Sequence, residues 1–139
     1  MKVVFDTNVI LDAIENRADY ETAQALILAV ARERIDGVVA GSSVTDIYYI
    51  AKKHIGDAAA REAISNLLTV FNVAPVGGEV CGDALDLPMS DYEDAVLACC
   101  AASCGADYVV TRDKDFLAAE DCPVERISPV DLSGMLSDE

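Results

Sequence analysis

The residues best able to do chemistry in this chain are carboxylates placed singly where elements end or begin. Asp6 closes the apolar run Val3-Val4-Phe5 and is followed by Thr7 and Asn8. Thr111-Arg112-Asp113 closes a second apolar run, far away in the sequence. Asp91 and Asp94 open an alanine-rich helical segment, where a spacing of three puts them on one face. Ala95, Ala98 and Ala102 continue that side, as a face pressed closely against something else would require. Asp46 stands near the start of another helix, four residues after Ser42.

Alone, each acid has an ordinary explanation. Asp6 suits a turn or a helix cap, and Asp113 suits a cap for Lys114 onward. Asp91 favours the positive end of its helix. Glu93 reads as the acid of a capping box, Ser90-x-x-Glu93. Asp46 reads as a partly buried acid or as a capping partner of Ser43. Taken together they suggest more. Ligands of open α/β sheets bind beyond the carboxyl ends of the strands, and Asp6, Asp46, Asp94 and Asp113 are expected to converge there. Two carboxylates ~5 Å apart repel by ~3 kcal/mol at an effective dielectric near 20, so such a group needs protons or a cation. An all-oxygen site of this kind suits Mg²⁺ or Mn²⁺, ions that assist chemistry at phosphates.

The elements that position these acids follow from periodicity and punctuation. Short apolar runs at Lys2–Asp6, Val38–Ala40, Asn72–Val76, Tyr108–Thr111 and Val124–Ile127 read as strands buried on both faces. Between them lie helical stretches: Glu21–Arg34, Ser42 or Ser43 to His54, a segment opened by Asp57, Glu79–Leu87, and Asp91–Ser103 capped by Ser90. A helical turn at Lys114–Ala119 and a last helix from Pro129 complete the pattern. This alternation predicts an α/β fold with a mainly parallel sheet, in one domain spanning residues 1–139.

Composition narrows the function. Twenty-five acids face ten Lys and Arg, for a formal charge of −15, so the overall field repels nucleic acid. A polyanion could be handled only through metal ions or a local basic patch; simple solubility is the plain alternative. Hydrophobic residues make up 53%, which excludes disorder, and no apolar run reaches the ~20 residues of a membrane span. The chain therefore reads as soluble and cytoplasmic, without a membrane role. Cys81, Cys99, Cys100, Cys104 and Cys122 are odd in number and contain no CxxC pair, so buried free thiols are expected rather than disulfides or zinc.

On four segments the chain resembles the PIN-domain nucleases, of the kind found as VapC-type toxins of toxin–antitoxin pairs. The segments are Val3-Val4-Phe5-Asp6-Thr7-Asn8, Ser42-Ser43-Val44-Thr45-Asp46, Asp91-Tyr92-Glu93-Asp94-Ala95, and Gly105 through Phe116. In the second, the family often has Glu where this chain has Asp46. The resemblance implies a three-layer α/β/α fold and a divalent-metal-dependent endoribonuclease acting on RNA. Asp6, Asp46, Asp94 and Asp113 match the family's acidic positions, with Asp6, Asp94 and Asp113 as metal ligands. Asn8 and Thr111 match supporting polar positions, and Asp91 and Asp115 are nearby family-like acids. Arg112 is the candidate phosphate contact. The resemblance further implies a homodimer and a small antitoxin that wraps the site. A nuclease without an antitoxin, or a catalytically silent PIN-like interaction domain, is the alternative. A phosphatase using Asp-x-Asp is disfavoured by Asn8, and a response-regulator receiver by the absence of a strand-ending Asp in Asn72–Val76.

Overall fold

The computed structural model describes residues 1–17 and 19–138. Five strands form one all-parallel sheet: β1 (Lys2–Phe5), β2 (Asp36–Ala40), β3 (Asn72–Ala74), β4 (Tyr108–Val110) and β5 (Glu125–Ile127). Their order across the sheet is β3-β2-β1-β4-β5. The chain thus starts in the centre, builds outward to one side, and returns to build the other. Where the direction reverses, between β1 and β4, a crevice opens at the carboxyl ends of the strands.

Adjacent strand residues point to opposite faces, and both faces are covered. Val3, Phe5 and Val39 pack under α1 (Thr7–Ile14), α2 (Tyr20–Ala31), α3 (Gly41–Ile55), α4 (Asp57–Val70) and α8 (Pro129–Ser137). Val4, Val38 and Val109 pack under α5 (Gly78–Ala84), α6 (Tyr92–Ser103) and α7 (Lys114–Ala118). The result is the three-layer α/β/α arrangement that short, wholly apolar strands imply. On the first face Phe5 meets Phe71 edge to face, with ring centroids 5.0 Å apart. Gly37 is needed there, since a Cβ would lie 2.6 Å from Val30 Cγ1 and 2.9 Å from Phe71 Cε2.

The predicted strands and most helices occur close to their expected bounds; the exceptions bear on the site. No element was assigned to Thr7–Ile14, yet it is α1, with Val9, Ile10 and Leu11 fully buried. Its first residues belong to the Asp6-Thr7-Asn8 motif, and at eight residues, about two turns, it is too short for an apolar stripe to repeat. Ser90 is not a cap: Asp91 is the N-cap of α6, its Oδ1 accepting a 3.1 Å bond from the Asp94 N–H. Glu93 is thereby freed from the capping box assigned to it. α3 begins at Gly41 with Ala40 as a cap that offers no side-chain bond, so Asp46 is not a capping partner either. Nor is Asp46 partly buried; it is exposed.

Of the cysteines only Cys100 is buried; the other four are half-buried free thiols, fewer buried than expected. Burial pushes the Cys100 thiol up to about 11. Among the described residues, no helix is long and apolar enough to cross a membrane.

Candidate active site

The register of the sheet sets the site. Phe5 pairs with Val110, so the residues that follow, Asp6 and Thr111, leave the sheet side by side. Thr111 is fully buried. Its hydroxyl donates to Asp6 Oδ2 at 2.7 Å and accepts from the Asp113 N–H at 3.1 Å. One threonine therefore fixes an acid on β1 and the turn that carries a second acid after β4. Asp113 caps α7: its Oδ1 accepts from the N–H groups of Asp115 and Phe116, at 2.9 and 3.3 Å. The capping and site roles weighed for Asp113 are compatible, because its other oxygen takes no part in the cap.

α6 brings the third acid. Asp94 joins Asp6, Thr7, Ser42, Ser43, Glu93 and Leu97 around a crevice of about 10 Å³, close to the room one water molecule needs. Burial raises the Asp94 carboxyl to about 7, and the charges of Asp91, Asp6, Asp113 and Glu93 add to the shift. Asp6 is also raised, chiefly by burial, which outweighs its bond from Thr111; Asp113 raises it further and Arg112 opposes. Glu93 is raised by burial first, then by Asp46, Asp91 and Asp6. Protons are favoured here because negative charge is crowded and partly desolvated.

Three predicted residues, Asp6, Asp94 and Asp113, thus stand together with Thr111 among them. Asp91 borders the group as the α6 cap. Asp46 reaches only the rim, on the side of Glu93. Glu93, Ser42 and Ser43 line the crevice without having been assigned to it; for Glu93 the signal was its place beside Asp94, obscured by the apparent capping box. Asn8 and Asp115 are exposed, and Asn8 Oδ1 accepts from Arg17 at 3.3 Å.

Arg112 has a different first partner from a phosphate. Its guanidinium holds Asp12 with two bonds, at 2.7 and 3.2 Å. Asp12 is 3% exposed and also lies 3.9 Å from Arg17. Arg17 in turn sits 2.5 Å from Glu15, whose other oxygen is 2.5 Å from His54 Nδ1. Sequence reasoning missed this chain of ion pairs, because its members lie up to 100 residues apart.

The crevice residues match the chemistry of a hard divalent cation: every donor is oxygen, and the raised carboxyls have a deficit of positive charge that a cation would fill. Asp6, Asp94 and Asp113 would hold it. Among the described residues, no group of three or more His, Cys, Asp or Glu is gathered closely enough to hold a metal as it stands.

Comparison with known proteins agrees with this architecture. The PIN domain family model matches residues 2–115, and the chain belongs to that family. Three solved structures share the fold. The VapBC2 complex of Rickettsia felis, bound to a DNA fragment from its promoter, superposes with a TM-score of 0.73 at 12% identity, over 92% of this chain and 98% of that one. VapC20 of Mycobacterium tuberculosis, described as a sarcin-ricin loop cleaving toxin, gives 0.67 at 18% identity over 82% and 92%. PAE2754 of Pyrobaculum aerophilum gives 0.68 at 18% identity over 100% and 97%. No curated protein matches the chain.

Proposed function

We propose that this PIN domain is an endoribonuclease that hydrolyses RNA phosphodiester bonds at the Asp6–Asp94–Asp113 crevice with Mg²⁺ or Mn²⁺. The observation that carries the reading is the convergence of three acids from the end of β1, the start of α6 and the turn after β4, with no ion pair to any of them among the described residues; burial first, and then the charges of its neighbours, raise Asp94 to about 7. A bound divalent cation supplies charge neutralisation for the phosphate and a more acidic water. The chain's own residues do the rest. Thr111 holds Asp6 in one orientation. The α7 cap fixes one oxygen of Asp113 and leaves the other free of the cap. Asp94 and Glu93 supply the charge that makes the crevice selective for a cation.

A toxin role is supported by the fold shared with VapC proteins, one of them solved as a VapBC complex. A small basic antitoxin complements the −15 charge. A homodimer in the cytoplasm completes the reading, and the dimer is checked by the mass of the purified protein in solution. Incubating the protein with defined RNAs in Mn²⁺, Mg²⁺ or EDTA, with the product ends mapped, tests the activity. Cleavage is expected with either ion and none with EDTA. Cleavage in EDTA sinks the metal dependence, and none in any condition while the protein binds Mn²⁺ sinks the nuclease assignment. Affinity capture from the native host tests the toxin role separately.

A further inference from the structure

A second, larger cavity of about 330 Å³ shares Asp94 with the crevice. One side is the loop between α5 and α6, the other the end of α7. Pro88 and Met89 on one side and Ala118 and Ala119 on the other form its apolar lining over Phe116, and Ser90, Asp91, Asp94 and Asp115 its polar one. Met89 is half-buried, and Phe116 is 1% exposed, so it is a floor rather than a flap. No basic side chain is among the described residues that line it. The nuclease reading does not use this cavity.

Its chemistry selects the occupant. With Asp91 and Asp115 exposed beside Asp94, and no base among the described lining residues, the cavity disfavours a phosphate. Carboxylates only accept hydrogen bonds, so the occupant must bring donors. Apolar walls around a space of this size suit a flat group with two apolar faces. Because Asp94 belongs to both spaces, whatever sits here lies within one residue of the reacting phosphate.

We propose that this cavity is a nucleobase subsite: it takes an unpaired base of the RNA strand next to the cleaved bond, and favours guanine over uracil. The inference rests on the nuclease reading and names the feature of the substrate that the site selects. Guanine presents N1–H and the N2 amino group side by side, matching the two oxygens of one carboxylate. Asp115 is exposed, and the oxygen of Asp91 not used in capping is also available. Uracil presents a single N–H between two carbonyl oxygens, which the acids repel. Adenine and cytosine, with one amino group each, fall between.

The test uses single-stranded RNAs identical except for G, A, C or U beside the cut, digested in Mn²⁺. A preference for G over U of roughly tenfold or more is expected, the size of one good paired contact. Ala118→Trp should fill the cavity, and Asp115→Asn should exchange an acceptor for a mixed group. Each is expected to bring the G-to-U ratio within its own digest close to one. In parallel, guanosine and uridine are titrated against the Met89 methyl signal of the wild-type protein. A shift with guanosine and none with uridine supports the subsite even if no RNA is cut, in which case only the nuclease reading fails. Equal cleavage beside all four bases overturns the proposal, as does a ratio that neither variant changes. A Met89 response to N-acetylarginine amide but to neither nucleoside would give the cavity to a protein cation instead, and overturn it too.

Discussion

Two groups of acids lie within one turn of chain from each other, and they are built on opposite principles. Asp12 and Glu15, on and just after α1, are met by Arg112, Arg17 and His54. Asp6, just before α1, lines a crevice with Asp94 and Glu93, within reach of the charge of Asp113, where among the described residues no ion pair forms. A fold that needed only to tolerate its acids would treat both groups alike. Here one group is met by basic residues of the protein, while the other makes no ion pair among the described residues, as the metal-dependent reading requires. Arg112 marks the boundary: it leaves the strand end beside Asp113 and turns toward Asp12.

The contrast predicts opposite responses to removing one carboxylate. Asp94→Asn should cut ribonuclease activity by roughly 100-fold or more, while metal-free thermal stability stays equal or rises because repulsion is relieved. A variant that keeps wild-type turnover, or that melts well below wild type, would erase the distinction. Thr111→Val keeps shape but removes the donor that orients Asp6. It should cost 10- to 100-fold in activity or metal affinity, the usual scale for a group that orients a ligand, read by Mn²⁺ titration.

Asp12→Asn takes the carboxylate from Arg112 and weakens the 3.9 Å contact of Arg17, which keeps Glu15. Since both arginines are partly exposed, the loss is discounted to about 2 kcal/mol, a fall in melting midpoint of roughly 4–8 °C at this chain length. Metal affinity in this variant should change far less than in Thr111→Val.

The pH response sharpens the same point. Asp94 titrates at about 7 in the folded protein, against roughly 4 in an unfolded chain. Between those values the folded state holds the extra proton, so stability without metal falls as pH rises across the window. The metal-free melting midpoint should therefore be higher at pH 5 than at pH 8, with a smaller difference in Asp94→Asn. Manganese affinity should weaken below about pH 7, because the ion must displace that proton. The smallest effect belongs to His54→Gln at the solvent end of the ion-pair chain. With His54 60% exposed, its loss should cost well under ~1 kcal/mol in a denaturant melt. A loss equal to that of Asp12→Asn would mean the network does not weaken outward as described.

Much of this was legible from residue order alone. Strands buried on both faces leave uninterrupted apolar runs, and Asp6 and Asp113 stand at the ends of two of them, so the fold and two acids came together. Asp94 was legible because nothing local required an acid there. Glu93 was not, since Ser90-x-x-Glu93 imitates a cap that the structure instead gives to Asp91. α1 escaped because eight residues make only about two turns, too few for the stripe by which a helix is recognised to repeat. The bond of Asp12 to Arg112 depends on pairing β1 with β4, and no local pattern encodes a partner 100 residues away.

Because β1 lies at the centre with neighbours drawn from distant parts of the chain, the site is divided in time as well as in space. During synthesis β1, β2 and β3 emerge first and can pair while β4 is still unmade. At that stage the edge of β1 destined for β4 is bare. Asp6 has neither the hydroxyl of Thr111 nor the carboxylate of Asp113 beside it. On the nuclease reading, the growing chain does not yet have an assembled site. It gains the ability to cut RNA only once its last third has emerged and docked against its first strand.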